Sequence, residues 1–260
     1  MKVLISDPIS ESGLIILEES NLEILYLPDA SIEEKISASK DVHGWIIRSG
    51  TAITDQMIKN SKNLQVIGRA GVGVDNIDIS AATRKGIVVM NTPDVNTISA
   101  AEHTLAMILT LSRNIAVGDS GLKEGKWNRH ELIGSELRNK TIGIVGMGKI
   151  GREVMTRCRS FNMKILGYDP FMSQEMFNTE EVRIVELDEL VSKSDIISVH
   201  VPLTDSTKDL FDYKRLSSMK PSARIINVAR GGIINEPDLA KALSEGIIAG
   251  AAIDVFTSEP

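Results

Sequence analysis

Apolar residues recur along the first part of the chain in two alternating rhythms. Short, β-branched runs of strand length fall at residues 3–6, 22–27, 44–48, 64–68 and 87–90. Between them, residues 10–19, 31–39, 54–60 and 76–85 carry helical spacing and residues able to cap a helix. Strands that alternate with helices predict a parallel sheet covered on both faces. Ligands of such sheets meet the loops after the strand C-termini, which draws attention to Arg48-Ser49-Gly50-Thr51 and to the stretch from Arg69 to Asp75.

The rhythm breaks at residues 91–96, where Pro93 and the Asn and Asp residues oppose regular structure, so a hinge is expected there. The expected domains are residues 1–94 and 95–260. A long helix is predicted next, over residues 99–117, with Ser99 and Glu102 spaced as a capping box. Its apolar content exceeds what one face needs, which predicts burial between domains or subunits. Residues 121–134 read as a short helix and an irregular arm that presents Trp127, Arg129 and His130. The alternation then resumes, with strands predicted at 141–145, 164–168, 183–185, 196–201, 224–228 and 250–255. Helices are predicted at 149–161, 187–193, 213–218 and 236–245.

The first of these later strands runs into Gly146-Met147-Gly148-Lys149-Ile150-Gly151, and the second ends on Asp169. Strand, glycine turn, helix, strand and terminal acid form the fingerprint of a dinucleotide fold, and each part has its own physical task. Gly146 permits a sharp turn, Gly148 removes a side chain that would keep a pyrophosphate from the backbone, and Gly151 lets the helix lie close to the strand. Phosphates would rest on free amides at the helix N-terminus. Asp169, 18 residues beyond Gly151, is placed to accept both hydroxyls of an adenosine ribose and to repel a 2′-phosphate, which favours NAD over NADP. Three glycines at this spacing are weak evidence alone; the flanking strand, helix and acid supply the specificity.

Composition narrows the classes. With 42% hydrophobic and 25% charged residues the chain reads as an ordinary soluble protein, long enough for two domains. A net charge of −6 argues against a general nucleic-acid or anionic-membrane surface, so an anionic ligand must be held by local groups. Cys158 is the single cysteine, which excludes an internal disulfide and fits a reducing compartment, the cytoplasm. No apolar run approaches spanning length, the N-terminus reads as a first strand rather than a signal peptide, and no metal-binding spacing is found. Arg230, after a buried-type strand and before two glycines, is expected to turn its guanidinium to the cleft, where a planar fork suits a carboxylate. An ion pair with a surface acid would also explain it. On residues alone, Glu259 reads as a solvated glutamate.

The segments VIGRAGVGVDNIDISAATRKGIVVMNTP, SAAEHTLAMIL, KTIGIVGMGKIGREV, ILGYDP, SVHVPLT, INVARGGIINE and GAAIDVFTSEP resemble the D-isomer-specific 2-hydroxyacid dehydrogenases over essentially the whole chain. Among these the likeness is greatest to the branch that oxidises D-3-phosphoglycerate at the head of serine biosynthesis. The resemblance implies two doubly wound α/β parallel-sheet domains, a flavodoxin-like substrate domain followed by a Rossmann NAD-binding domain. It further implies that the first is completed by a C-terminal return and that the second gains a last strand. It gives Arg230 the catalytic role and makes Glu259 the carboxylate behind a catalytic His. Val72 and Gly73 match the backbone that receives the substrate carboxylate, with Arg48 and Ser49 beside it. Lys149 and Ile150 match pyrophosphate contacts, Asp169 the ribose contact, Val201 and Pro202 the adenine side, and Val228 and Asp254 the nicotinamide side.

The implied reaction is hydride transfer from C2 of a small anionic D-2-hydroxyacid to NAD. Arg230 holds the carboxylate, and a His takes the hydroxyl proton with a pKa raised by its carboxylate partner. In the family that His follows the DVF..EP motif, whereas this sequence ends at Pro260 and has His43, His103, His130 and His200, none in that position. The chain as written is therefore expected to bind NAD weakly and turn over poorly. Glyoxylate and hydroxypyruvate reductases share nearly all these motifs, and NAD-sensing corepressors share the fold, so both stand as alternatives. A homodimer through the long helix and the Trp127 arm is implied by the family.

Overall fold

The β-branched runs at the start of the chain become parallel strands in the computed structural model, which describes residues 1–178 and 181–259. Contacts divide the chain into two units, Met1–Asn96 and Thr97–Pro260. The first contains β1 (Lys2–Ile5), α1 (Glu11–Glu18), β2 (Glu23–Tyr26), α2 (Ile32–Ala38), β3 (Gly44–Ile47), α3 (Asp55–Asn60), β4 (Val66–Arg69), α4 (Ile79–Arg84) and β5 (Val88–Asn91). The strands pair in parallel in the order β2-β1-β3-β4-β5, the flavodoxin-like order, whose switch point lies between β1 and β3.

Local chemistry starts each of these helices. Ser10, Ser31, Thr54 and Asp78 each accept a backbone amide of the first turn, and Ser31 with Glu34 completes a reciprocal capping box. Leu4, Trp45, Ile47, Ile58 and Ile67 fill the core of this unit. Each such side chain contributes about 1.5–3 kcal/mol on burial.

The second unit holds α5 (Thr97–Ser112), α6 (Ile115–Lys123), β6 (Thr141–Val145), α7 (Lys149–Ser160), β7 (Lys164–Tyr168), β8 (Arg183–Ile184), α8 (Leu187–Lys193) and β9 (Ile196–Val199). It continues with α9 (Tyr213–Leu216), β10 (Arg224–Asn227), α10 (Glu236–Ser244) and β11 (Gly250–Ile253). The sheet order is β11-β10-β9-β6-β7-β8, the dinucleotide-fold arrangement, with its switch point between β6 and β9. One core includes Leu190 and Val191 of α8 and Leu239 and Ala242 of α10. A second gathers Ala101 and Ile108 of α5 with Val154, Met155 and Cys158 of α7.

Two expectations fail here. The long helix is two helices, broken at Asn114, whose φ of 54° is left-handed. The break has a cause outside the helix: the returning arm donates the Ser135 amide to the Ser112 carbonyl at 2.8 Å, and Asn114 Nδ2 reaches the Ile133 carbonyl at 3.3 Å. A carbonyl of the last turn is thus taken from outside, and asparagine tolerates the reversed φ. Ser99 lies inside the first turn of a helix that starts at Thr97, so it is not the cap. The buried stripe Ala101, Thr104, Ile108 and Ser112 serves the core of its own unit.

Several strands, β3 and β10 among them, end one or two residues short of the expected ends, whereas β6 and β7 end as expected and β4 and β5 run one residue further. After β3 the Arg48 amide goes to the Asp7 carboxylate, and after β10 the Ala229 amide goes to Asn227 Oδ1 at 3.0 Å. In each case a side chain holds an amide just past the ladder.

Candidate functional site

The loop between β6 and α7 is shaped by what its glycines lack. Gly146 has φ +98°, and a Cβ there would lie 2.6 Å from the His200 carbonyl oxygen. A Cβ on Gly151 would overlap the Gly146 carbonyl, so this residue sets how closely α7 approaches the turn. Gly148 differs: a Cβ would meet no protein atom within 4 Å, and no side chain caps the 12-residue helix that begins after it. Open space therefore faces a helix N-terminus whose first amides have no side-chain acceptor at the cap, and Lys149 and Ile150 are its first residues. Such an end attracts a phosphate through both its amides and its dipole.

Asp169 closes the same site from the end of β7. Its Oδ2 accepts the Met147 amide at 2.9 Å and its Oδ1 the Phe171 amide at 3.0 Å, so the carboxylate is held at the glycine turn. A cavity of about 580 Å3 beside it is lined by Tyr168, Asp169, Pro170, Ile184 and Glu186 among others. Across the switch point, the His200 amide donates to Val145, and Val201 and Pro202 follow in the next loop. The His200 ring nitrogen Nε2 lies 2.8 Å from Ser198 Oγ, and burial pushes its pKa down to about 4, so the imidazole is neutral near pH 7. Cys158 lies in the core with its thiol pushed up to about 12 by burial, which removes it as a nucleophile.

The loops after β10 and β11 form the other half. Buried Asn227 donates to the Arg230 carbonyl at 2.9 Å and accepts the Ala229 amide, fixing the turn through Val228 that carries Arg230. The Arg230 guanidinium donates to the Ala229 carbonyl at 2.6 Å. A Cβ on Gly231 would overlap the Phe256 carbonyl, so the ARGG and DVF segments lie backbone against backbone. The Asp254 amide donates to Asn227, and its Oδ1 lies 3.3 Å from His103 Nε2 on α5. Glu259 accepts the Phe256 amide at 2.8 Å; Pro260 lies outside the described residues.

In the first unit, Arg48, Ser49 and Val72 line one cavity of about 360 Å3 with Arg69, Gly71 and Thr92, while Gly73 is not among its lining residues. Sequence reasoning passed over Asp7 and Asn76, which hold the Arg48 loop, and the pairing of His103 with Asp254. No local pattern marks these residues, because their partners lie far away in the chain. Among the described residues no cluster of three or more His, Cys, Asp or Glu could hold a metal ion, and no helix is long and apolar enough to cross a membrane.

The residues present fit a dinucleotide: an open glycine at a helix N-terminus, a fixed acid at the next strand end, and a sheet of dinucleotide-fold order. Fold and site together define a nucleotide-binding α/β protein. The family model described as "D-isomer specific 2-hydroxyacid dehydrogenase, NAD binding domain" matches residues 105–260, and the chain belongs to that family of NAD-dependent enzymes. Over 259 residues it is 47% identical to the D-3-phosphoglycerate dehydrogenase of Homo sapiens, covering 100% of this chain and 49% of the relative. To the D-3-phosphoglycerate dehydrogenase of Archaeoglobus fulgidus it is 45% identical over 260 residues, again 100% of this chain and 49% of the relative. The chain thus spans about half the length of these curated relatives. Among solved structures, the NAD-dependent formate dehydrogenase of Staphylococcus aureus in complex with NAD superposes with a TM-score of 0.91 at 35% identity, over 100% of this chain and 83% of that one.

Proposed function

We propose that the protein takes part in the NAD-dependent oxidation of D-3-phosphoglycerate to 3-phosphohydroxypyruvate, the reaction that opens serine biosynthesis. The observation that carries this reading is the shared sheet end on which the open Gly148 loop, the fixed Asp169 and the Arg230-Gly231 turn all lie. Likeness to the D-3-phosphoglycerate dehydrogenases supports the choice of substrate.

Bound NAD supplies the hydride acceptor. The Lys149 and Ile150 amides hold its pyrophosphate beside Gly146, Gly148 and Gly151, and Asp169 accepts the ribose hydroxyls. Val201 and Pro202 flank the adenine side, and Val228 and Asp254 the nicotinamide side. Arg230 pairs with the substrate carboxylate and polarises the oxygen at C2 as it becomes a carbonyl. Arg48, Ser49, Val72 and Gly73 receive the acid end of the substrate. Glu259 is the carboxylate that orients the imidazole acting as base and keeps it basic. His200, held neutral by burial, is not assigned that role.

The protein works as a homodimer in a reducing cytoplasm. The surface offered to the second copy is the α6 arm, where Val117, Leu122, Trp127 and Ile133 are all exposed. This reading is tested by incubating the protein with NAD and D-3-phosphoglycerate and following NADH, with D-glycerate and glycolate as comparators and titration of each acid alongside. Preferred binding of the phosphorylated acid, with whatever NADH forms also greatest for it, supports it. Equal response to all three acids, or preference for an unphosphorylated one, overturns the substrate assignment.

A further inference from the structure

In the first unit a carboxylate lies beneath the loop proposed to receive an anion. Asp7 follows β1 and is only 3% exposed, at the switch point where the ends of β1 and β3 diverge. A buried negative charge beside an anion site would ordinarily weaken it, so its partners matter. Oδ2 accepts the Arg48 amide and, at 3.1 Å, the Thr51 amide; Oδ1 accepts the Thr51 hydroxyl at 2.6 Å. The Arg48–Thr51 loop is therefore wound around the carboxylate by its own donors.

Those bonds continue into the core. Trp45 Nε1 donates to Ser6 Oγ at 2.9 Å, Ser6 Oγ donates to Thr51 Oγ1 at 3.1 Å, and Thr51 donates to Asp7. Every donor in that chain points toward the carboxylate, an arrangement in which each bond polarises the next. The loop's carbonyls are gathered by another residue: Asn76 Nδ2 donates to Arg48 O and Thr51 O, each at 2.6 Å. With these backbone groups committed inward, the Arg48 and Ser49 side chains remain exposed, and both line the cavity that also contains Val72.

We propose that Asp7 is a positioning residue for acid binding: it fixes the Arg48–Thr51 loop so that Arg48 and Ser49 face the substrate's anionic end. This rests on the reading of the first unit as the part that receives the acid. Asp7 does not touch substrate. Its charge is satisfied by three donors of the loop, which separates it from the anion and makes the loop's shape depend on its charge.

The test compares Asp7→Asn with the unaltered protein by calorimetric titration with D-3-phosphoglycerate and, separately, with NADH. An amide in place of Oδ1 or Oδ2 sets a donor against the loop's donors, and acid affinity is expected to fall about tenfold or more, with NADH affinity within about twofold of wild type. Thr51→Val, which removes one donor, is expected to show a smaller loss of acid affinity, and Thr51→Ser, which restores it, none. These two variants decide the matter should Asp7→Asn not fold. Acid binding unchanged in Asp7→Asn, an equal loss of acid and NADH affinity, or failure of Thr51→Ser to restore what Thr51→Val loses would overturn the role of Asp7. Absence of acid binding in the unaltered protein would instead overturn the reading on which it rests.

Discussion

Asp169 Oδ2 accepts the Met147 amide at 2.9 Å, which ties the acid at the end of β7 to the residue between the first two fingerprint glycines. The carboxylate proposed to meet the ribose and the turn proposed to meet the phosphates are thereby one mechanical unit. Replacing Asp169 with alanine should remove the ribose acceptor and loosen the turn together. NADH affinity is expected to fall about ten- to a hundredfold, from hydrogen bonds to a charged group worth about 1.5–3 kcal/mol, and NADPH affinity should fall far less. Parallel titrations with the two cofactors check this, through the ratio of the two dissociation constants.

Two glycines of one motif should respond in opposite ways. Gly148→Ala adds a methyl to open space at φ −67°, so its thermal midpoint should match wild type while NADH binding weakens, because the methyl would stand where the pyrophosphate is proposed to rest. Gly151→Ala drives a methyl into the Gly146 carbonyl and should lower stability by about 1–3 kcal/mol as α7 is pushed away. Unfolding curves and NADH titrations of both variants separate the two effects.

His200 makes stability depend on pH in a definable window. Its folded pKa is pushed down to about 4 from 6.5 by burial, so between these values the unfolded chain takes up a proton that the folded chain refuses. Stability from this group is therefore full above pH 6.5 and declines as the pH falls toward 4, by about 3 kcal/mol in all. Asp195, where Lys220 and the Thr141 amide outweigh burial, is held below its ordinary 3.8 and acts only at more acid pH. Urea unfolding of His200→Gln against wild type should show a shallower loss between pH 6.5 and 4 and parallel behaviour below.

What could be read in the sequence was local. Ser31 and Glu34 sit three residues apart and form a capping box, although the same spacing at Ser99 and Glu102 forms none, and the glycines and Asp169 belong to one strand-turn-helix-strand unit. The break at Asn114 was not legible, because it is made by residues 133–135 returning to the end of α5. Nothing local marks Asp7, since its partners Arg48 and Thr51 lie 41 and 44 residues away. His103 and Asp254 meet only because α5 lies against the β11 end of the sheet, a packing that no helical period announces.

Trp127 is 75% exposed and lines a cavity of about 700 Å3 with Val117 and Leu122, and Ile133 nearby in the chain is 79% exposed. If a second copy covers this arm, Trp127→Glu should place a charge in the contact and shift the mass measured by light scattering from two chains toward one. A central tryptophan typically contributes at least about 2 kcal/mol to such a contact. NADH binding per chain should stay unchanged.

Every proposed role in the second unit requires the dinucleotide to rest against the Gly146–Gly151 loop. A crystal structure of the protein with NADH tests it most directly. The pyrophosphate is expected on the Lys149 and Ile150 amides, the adenosine ribose on Asp169 and the nicotinamide beside Val228 and Asp254. Density for the cofactor elsewhere, or none under conditions where titration shows saturation, would contradict it.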